Sequence, residues 1–401
     1  MVTKENKAIT LIALAVTIIV LLILAGISIA MLTGQNGILN RAQEAKEKTE
    51  ATQEDENKKI QGYEDITNIY TTGNLPTRNE TRPYLPNSTF SYKEGDLSTG
   101  WVIKDAEQNE YVWVEVPTTI YANTEYNSNG ANKPSGSEDY GNIEACLKTY
   151  TSDYSDSSYS DTNPIFLTQY QNMLKSVYTN GGFWIGRYEA GIEEGKNPRT
   201  EYYEIAVNDK AVTKPNMYPY IYVKRDEAQI LATRMNYEGC TSSLIFGVQW
   251  DLVLKYIETK QATTKSNLAT DSTSIGNYFT SEFILNRGKF AQYGNLSNWY
   301  FYNSEEKSEI VTDMKKKPQS ENFNAILLTT GATEIANLQN IYDIAGNVWE
   351  WTLEFYNDTV PCIDRGGSYS NKGRYHYAKN YSQNDTKSYS NNIGFRIGIW
   401  K

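Results

Sequence analysis

The chain has 401 residues, 39% hydrophobic and 21% charged, which supplies enough apolar material for a sizeable core and excludes a disordered protein. Lys and Arg number 38 against 48 Asp and Glu, and the net charge of −10 leaves no basic surplus to collect a phosphate backbone, so nucleic acid is excluded as a main partner. A single histidine, His376, excludes mechanisms that need two imidazoles, and three widely separated cysteines, Cys146, Cys240 and Cys362, exclude a CxxC zinc or redox site and a disulfide-dense scaffold.

From Ala8 to Asn40 no side chain is charged, and Ile9 to Leu32 is apolar apart from Thr10, Thr17, Gly26 and Ser28. A helix over that run reaches roughly 36 Å, enough for a hydrocarbon core of about 30 Å. The run is too long for a secretory signal core and lacks a small-x-small cleavage site after it. A membrane partner is therefore expected, with Lys4 and Lys7 held on the cytoplasmic side and everything after about Thr33 outside.

Lys7-Ala8-Ile9-Thr10-Leu11-Ile12, leading into an unbroken apolar helix, resembles a type IV prepilin leader of the Gram-positive kind. The resemblance implies cleavage between Ala8 and Ile9 by a prepilin peptidase and packing of the helix among other pilins. The chain departs from the family in having Ala8 where Gly is preferred and Ala13 where a mature fifth-position Glu is usual. A plain membrane anchor is the alternative.

The next segment reads as a helical stalk rich in Glu, Lys, Gln and Ala, with Glu44 and Lys48 at i,i+4 spacing. Ile38, Ala42 and Ala45 open an apolar seam and Tyr63, Ile66 and Tyr70 close one, but Glu56 and Lys59 interrupt it, which argues against a long coiled coil. Gly73-Asn74-Leu75-Pro76 stops the helix, and Pro83 and Pro86 mark a linker. The expected organisation is a leader over 1–8, an apolar helix over 9–33, a stalk over 34–75, a linker over 76–89 and one α+β, irregular domain over 90–401. Within that domain, residues 123–163 read as too polar to pack and are expected to form an exposed excursion.

Strand-like strings occur at 111–117 (YVWVEVP) and 182–189 (GFWIGRYE), a helix start at 247–252 (GVQWDL), then YDIAGNVWEWT at 342–352, RGGSY at 365–369 and GFR at 394–396. In an extended segment Trp349 and Trp351 face one way and Glu350 the other. Gly346, Gly366 and Gly367 permit backbone conformations closed to other residues. Asp343 and Glu350 bracket a tight Gly-Asn turn of the kind that suits a hard cation.

Taken in order, these strings resemble the formylglycine-generating enzyme family, the sulfatase-modifying factor domain with a variant C-type lectin fold. The resemblance implies a structural calcium held by the carboxylates of Asp343 and Glu350 and the carbonyls of Gly346 and Val348. It also implies a copper ion on two thiolates beside the RGGS motif, yet no cysteine follows Cys362. The related iron-dependent sulfoxide synthases need several histidines, and His376 has no second. The reading is therefore non-catalytic, with a membrane-anchored formylglycine-generating-type oxidoreductase as the rival and a structural minor pilin as a third possibility.

Residues 369–392 contain five Tyr, five Asn and four Ser, with no aliphatic side chain larger than Ala378. This is the vocabulary of an antibody paratope, with large rigid contact area beside adaptable hydrogen bonding. In lectin-fold proteins of the resembling group this segment faces the ligand, and in some it is varied by a diversity-generating retroelement. The expected ligand-binding residues are Tyr369, Arg374, Tyr375, Tyr377, Asn380, Tyr381 and Tyr389, acting on an unidentified surface protein or glycan in adhesion at a cell surface or pilus.

Overall fold

The computed structural model describes residues 14–24, 41, 45–46, 48–49, 52–53, 81–156, 160, 163–285, 287–301 and 325–401. The chain divides into two compact units, Met1–Glu64 and Asp65–Lys401. In the first, residues 14–24 are helical and their large apolar side chains, Leu14 to Leu24, are exposed. Among the described residues no helix is long and apolar enough to cross a membrane. The leader with Ala8 and Ile9, both ends of the expected span, most of the stalk and the start of the linker lie outside the described residues.

The second unit mixes α and β as expected. Its main sheet has six strands in the order Ser91–Glu94, Val102–Lys104, Glu110–Glu115, Gly182–Gly186, Ile397–Trp400 and Thr241–Leu244, all antiparallel. The chain's last strand thus lies in the sheet's interior, and a strand buried on both faces is what the unbroken apolar strings at 111–114 and 397–400 require. The helix Gly247–Thr259 is almost wholly buried. Six Trp side chains, Trp101, Trp113, Trp184, Trp250, Trp351 and Trp400, are fully enclosed.

A second sheet orders Tyr381–Asn384, Cys362–Arg365, Trp349–Thr352 and Ile393–Phe395, the last pair parallel. It carries the segment 369–392 between its second and fourth strands. A three-stranded sheet, Ile326–Leu328, Lys289–Gln292 and Asn295–Phe301, completes the larger layers.

Two boundaries differ from expectation. Residues 81–89, read as linker, belong to the domain: the Trp113 Nε1–H donates to Thr81 Oγ1 at 2.7 Å, the Trp184 indole donates to the Tyr84 carbonyl at 2.8 Å, and the Tyr84 ring meets Trp113 edge-on. Nor is 123–163 an excursion. It contains the helix Tyr140–Tyr150, whose Ile143, Cys146, Leu147 and Tyr150 are buried in the main core. Their helical spacing is hidden among polar neighbours because only one face of the helix needs to be apolar.

Candidate functional site

The two arginines that bracket the variable-looking segment are both fully buried. The Arg396 guanidinium donates from Nη2 to Glu350 Oε1 at 2.6 Å and from Nε to Oε2 at 3.0 Å, and also reaches the carbonyls of Gly186 and Tyr342. Arg365 pairs with Asp251 of the helix Gly247–Thr259, lies 3.3 Å from Glu354, and donates to the Lys379 carbonyl at 2.6 Å. Each guanidinium thus ties a motif strand to a second layer, the charge being compensated because it is paired and hydrogen-bonded.

The AGNVWEWT turn is built by close backbone approach. Gly346 has φ +74°, and a Cβ there would lie 2.4 Å from the Asn277 carbonyl oxygen. The Asn347 side chain fills the turn: its Nδ2 donates to Glu189 at 2.7 Å while its Oδ1 accepts from Asn277 and from the Leu328 N–H. The Val348 N–H also donates to Glu189, at 3.1 Å. In the following strand both faces are buried, Trp349 and Trp351 included, and Glu350 meets Arg396 rather than solvent.

Asp343, Gly346, Val348 and Glu350 therefore share one turn, but their arrangement does not fit a calcium ion. Both Glu350 oxygens are taken by Arg396, a cation already in place, and Asp343 Oδ2 accepts the Gly331 N–H at 2.7 Å. Only Asp343 Oδ1 lacks a partner, and among the described residues no cluster of three or more His, Cys, Asp or Glu is arranged to hold a metal. Hard cations need six to eight oxygen donors, and Asp343 Oδ1 with the Gly346 and Val348 carbonyls falls well short of that set. Burial pushes Asp343 up to about 6 and raises Glu350, and burial together with the charges of Asp343 and Glu350 carries Glu189 well above the usual carboxylate range.

The segment 369–392 splits into framework and surface. Gly367 starts it with φ +78°, where a Cβ would lie 2.2 Å from the His376 carbonyl oxygen. Tyr369, expected to face a ligand, is 0% exposed: its ring packs with Ile221, Leu296 and Val348, and its N–H donates to the Asn347 carbonyl. It is a core residue because the strand pair on either side draws the segment's start inward. The backbone is then pinned at several points. Phe279 N–H donates to the Asn371 carbonyl at 2.7 Å, Ala378 N–H to Ser272 Oγ at 2.9 Å, Lys379 N–H to the Leu268 carbonyl at 3.0 Å, and Tyr222 N–H to the Ser390 carbonyl at 2.9 Å.

The Asn and Ser side chains join this framework. Asn371 accepts from Ser368 Oγ at 2.7 Å, Asn392 donates to Ser368 and Ser370, and Asn384 donates to the buried carboxylate of Asp364 at 2.9 Å. Asn380, expected as a polar ligand contact, donates to the Tyr375 carbonyl at 2.5 Å and serves the turn instead. Outside the framework stand Tyr375, 57% exposed with the Arg374 guanidinium 4.7 Å over its ring, and Tyr389, 44% exposed and stacked on Tyr202 at 4.2 Å. Tyr377 and Tyr381 are half-buried. His376 turns inward, its ring edge-on to Trp349 at 5.7 Å.

Tyr202, Glu189, Asp251 and Glu354 were not singled out from the sequence. Asp251 offered one signal: it is a lone acid in an otherwise apolar string, which in a buried element implies a cationic partner, and Glu354 shares its aromatic string with Glu350. Tyr202 offered none, since its contact with Tyr389 crosses 187 positions.

No protein of curated function matches the sequence. Among solved structures the chain is similar to Treponema denticola variable protein 1, at 13% identity and a TM-score of 0.30, with 55% of this chain and 85% of that one covered. Residues 245–399 match the sulfatase-modifying factor enzyme 1-like domain, a stretch that takes in the strings at 247–252, 342–352, 365–369 and 394–396 and leaves those at 111–117 and 182–189 outside.

Proposed function

We propose that the second unit is a non-catalytic, lectin-like binding domain displayed at a cell surface or pilus, which engages a protein or glycan through the exposed side chains of residues 371–389. The observation that carries this reading is the division of labour in that segment. Its backbone is pinned to the stretch Leu268 to Phe279 and to Tyr222 while Lys372, Arg374, Tyr375, Gln383, Asp385, Thr386, Lys387 and Tyr389 face solvent. A rigid backbone with free side chains gives contact area without the ordering cost of a mobile loop, and it tolerates side-chain variation. The exposed apolar helix at 14–24 supports membrane or pilus attachment through the N-terminal segment, with prepilin-type processing between Ala8 and Ile9.

The rival reading, an enzyme of the formylglycine-generating type, draws on the domain match at 245–399. Its copper chemistry needs paired thiolates. Cys146 sits on a helix, Cys240 before a strand of the main sheet and Cys362 within another sheet, each as a free cysteine on a separate element. The separating experiment uses the full chain immobilised on beads. Arrayed glycans and surface proteins are scored for capture by wild type and by Tyr375→Ala and Tyr389→Ala, while oxidation of a cysteine-containing sulfatase peptide is followed in parallel with copper added. Capture that falls by about tenfold or more in the Tyr variants, without peptide oxidation, supports display. Peptide oxidation, or capture indifferent to both substitutions, overturns it.

A further inference from the structure

Between the strands Gly191–Ile192 and Ala211–Val212 the chain makes an acid- and lysine-rich loop, and beside it opens a cavity of about 150 Å³ lined by Glu193, Lys196, Arg199, Tyr203, Asp209 and Tyr220. Arg199 is 1% exposed. Its guanidinium donates from Nη2 to the Tyr203 carbonyl and adjoins the Tyr220 hydroxyl, while Nε and Nη1 find no partner at hydrogen-bond distance. Its carbon centre lies 3.9 Å over the Tyr203 ring and 5.4 Å from that of Tyr220. Among the described residues no carboxylate pairs with it. Asp209, which lines the same cavity, spends Oδ2 on the Ala206 N–H at 2.8 Å.

The contrast with the rest of the domain is sharp. The other two wholly buried arginines, Arg365 and Arg396, are each matched by carboxylates. A buried guanidinium with two idle donors is costly, and aromatic faces compensate it only in part. We propose that this cavity binds a single carboxylate of an external ligand, with Arg199 as the residue that receives it. The charges set the valence. Lys210 is drawn off by Glu107 at 3.3 Å, which leaves Arg199 and Lys196 against Glu193 and Asp209 in the cavity, so a monoanion adds one uncompensated charge where a dianionic phosphate adds two. The size sets the scale: about 150 Å³ is some five times the roughly 30 Å³ share of one water, room for a carboxylate and the carbons that carry it. The half-exposed Tyr203 flanks the entrance with an aromatic face that suits a sugar ring or an alkyl chain.

This site lies apart from the residues of the display reading and stands without it, although Tyr202, next to Tyr203, is the residue that stacks on Tyr389. The test titrates the full chain, at constant ionic strength, with acetate, glucuronate, N-acetylglutamate, methyl phosphate and uncharged glucose, read by calorimetry and by the melting temperature. Saturable binding is expected for the carboxylates, with the strongest of glucuronate and N-acetylglutamate telling a sugar acid from an acidic side chain. Arg199→Met should weaken it by about tenfold or more, yet melt no lower than wild type because a desolvated charge has been removed. Glu193→Gln, at a partly exposed position, should tighten binding by removing a like charge. No saturable carboxylate binding to wild type, undiminished binding by Arg199→Met, a stronger response to methyl phosphate, or weaker binding by Glu193→Gln would each overturn the assignment.

Discussion

Tyr369 and Tyr375 stand six positions apart in the same polar, aromatic segment, yet one is fully enclosed and the other 57% exposed. The difference extends to the regions around them. Residues 343–369 with 393–396 form a frame whose charged and amide groups are turned largely inward: two arginines on carboxylates, Asn347 on three partners, glycines where backbones nearly touch. Residues 371–389 borrow their backbone geometry from that frame and turn eight of their side chains, Tyr375 and Tyr389 among them, to solvent. The comparison teaches that tyrosine and asparagine content does not by itself mark a binding face. What marks it is which of those side chains the framework leaves unused.

Substitutions in the frame are expected to have the largest effects. Arg396→Ala strands Glu350 and two carbonyls in the interior and should cost about 3 to 5 kcal/mol, read as a lower urea midpoint of the full chain. Combining Arg396→Met with Glu350→Met should recover much of that loss, since no unpaired charge remains; a double variant as unstable as Arg396→Ala would show that the pair does more than cancel itself. Tyr369→Ala should cost about 3 kcal/mol by opening a cavity among Ile221, Leu296 and Val348. Tyr375→Ala should stay within about 0.5 kcal/mol of wild type. Equal losses for the two would erase the division between frame and surface.

The frame also carries a pH signature. Burial pushes Asp364 up to about 7 and Asp343 up to about 6, while in the unfolded chain both return to about 3.9. Between about pH 4 and pH 7 the folded state therefore holds protons that the unfolded state has lost, and stability falls as pH rises through that window. The melting temperature should be higher near pH 5 than at pH 7.5. Asp364→Asn, which keeps the Asn384 contact possible without a charge, should flatten the decline; an unchanged slope would mean that Asp364 is solvated in the native state. The smallest effect is expected from metal removal. With Arg396 already on Glu350, adding a chelator should leave the melting temperature where it was, and a clear drop would return a cation to the Asp343 turn.

Some of this was open to a reading of residues alone. A long apolar N-terminal run, the strands at Glu110–Glu115 and Gly182–Gly186, the helix from Gly247 and the turn at Gly346-Asn347 follow from periodicity and from glycine's freedom at positive φ, because these are local properties of the chain. The helix Tyr140–Tyr150 was lost in a polar stretch, since one buried stripe of four residues is a faint signal among Asn, Ser and Asp. Only the tertiary structure decided which charges meet. Arg396 finds Glu350 across 46 positions, Arg365 finds Asp251 across 114, and Arg199 finds no carboxylate among the described residues. A carboxylate's partner is set by how the layers stack, which no spacing along the chain encodes. The same holds for Tyr369 and Tyr375: composition placed both in one aromatic segment, and the packing of the strands on either side sent one inward and left the other in solvent.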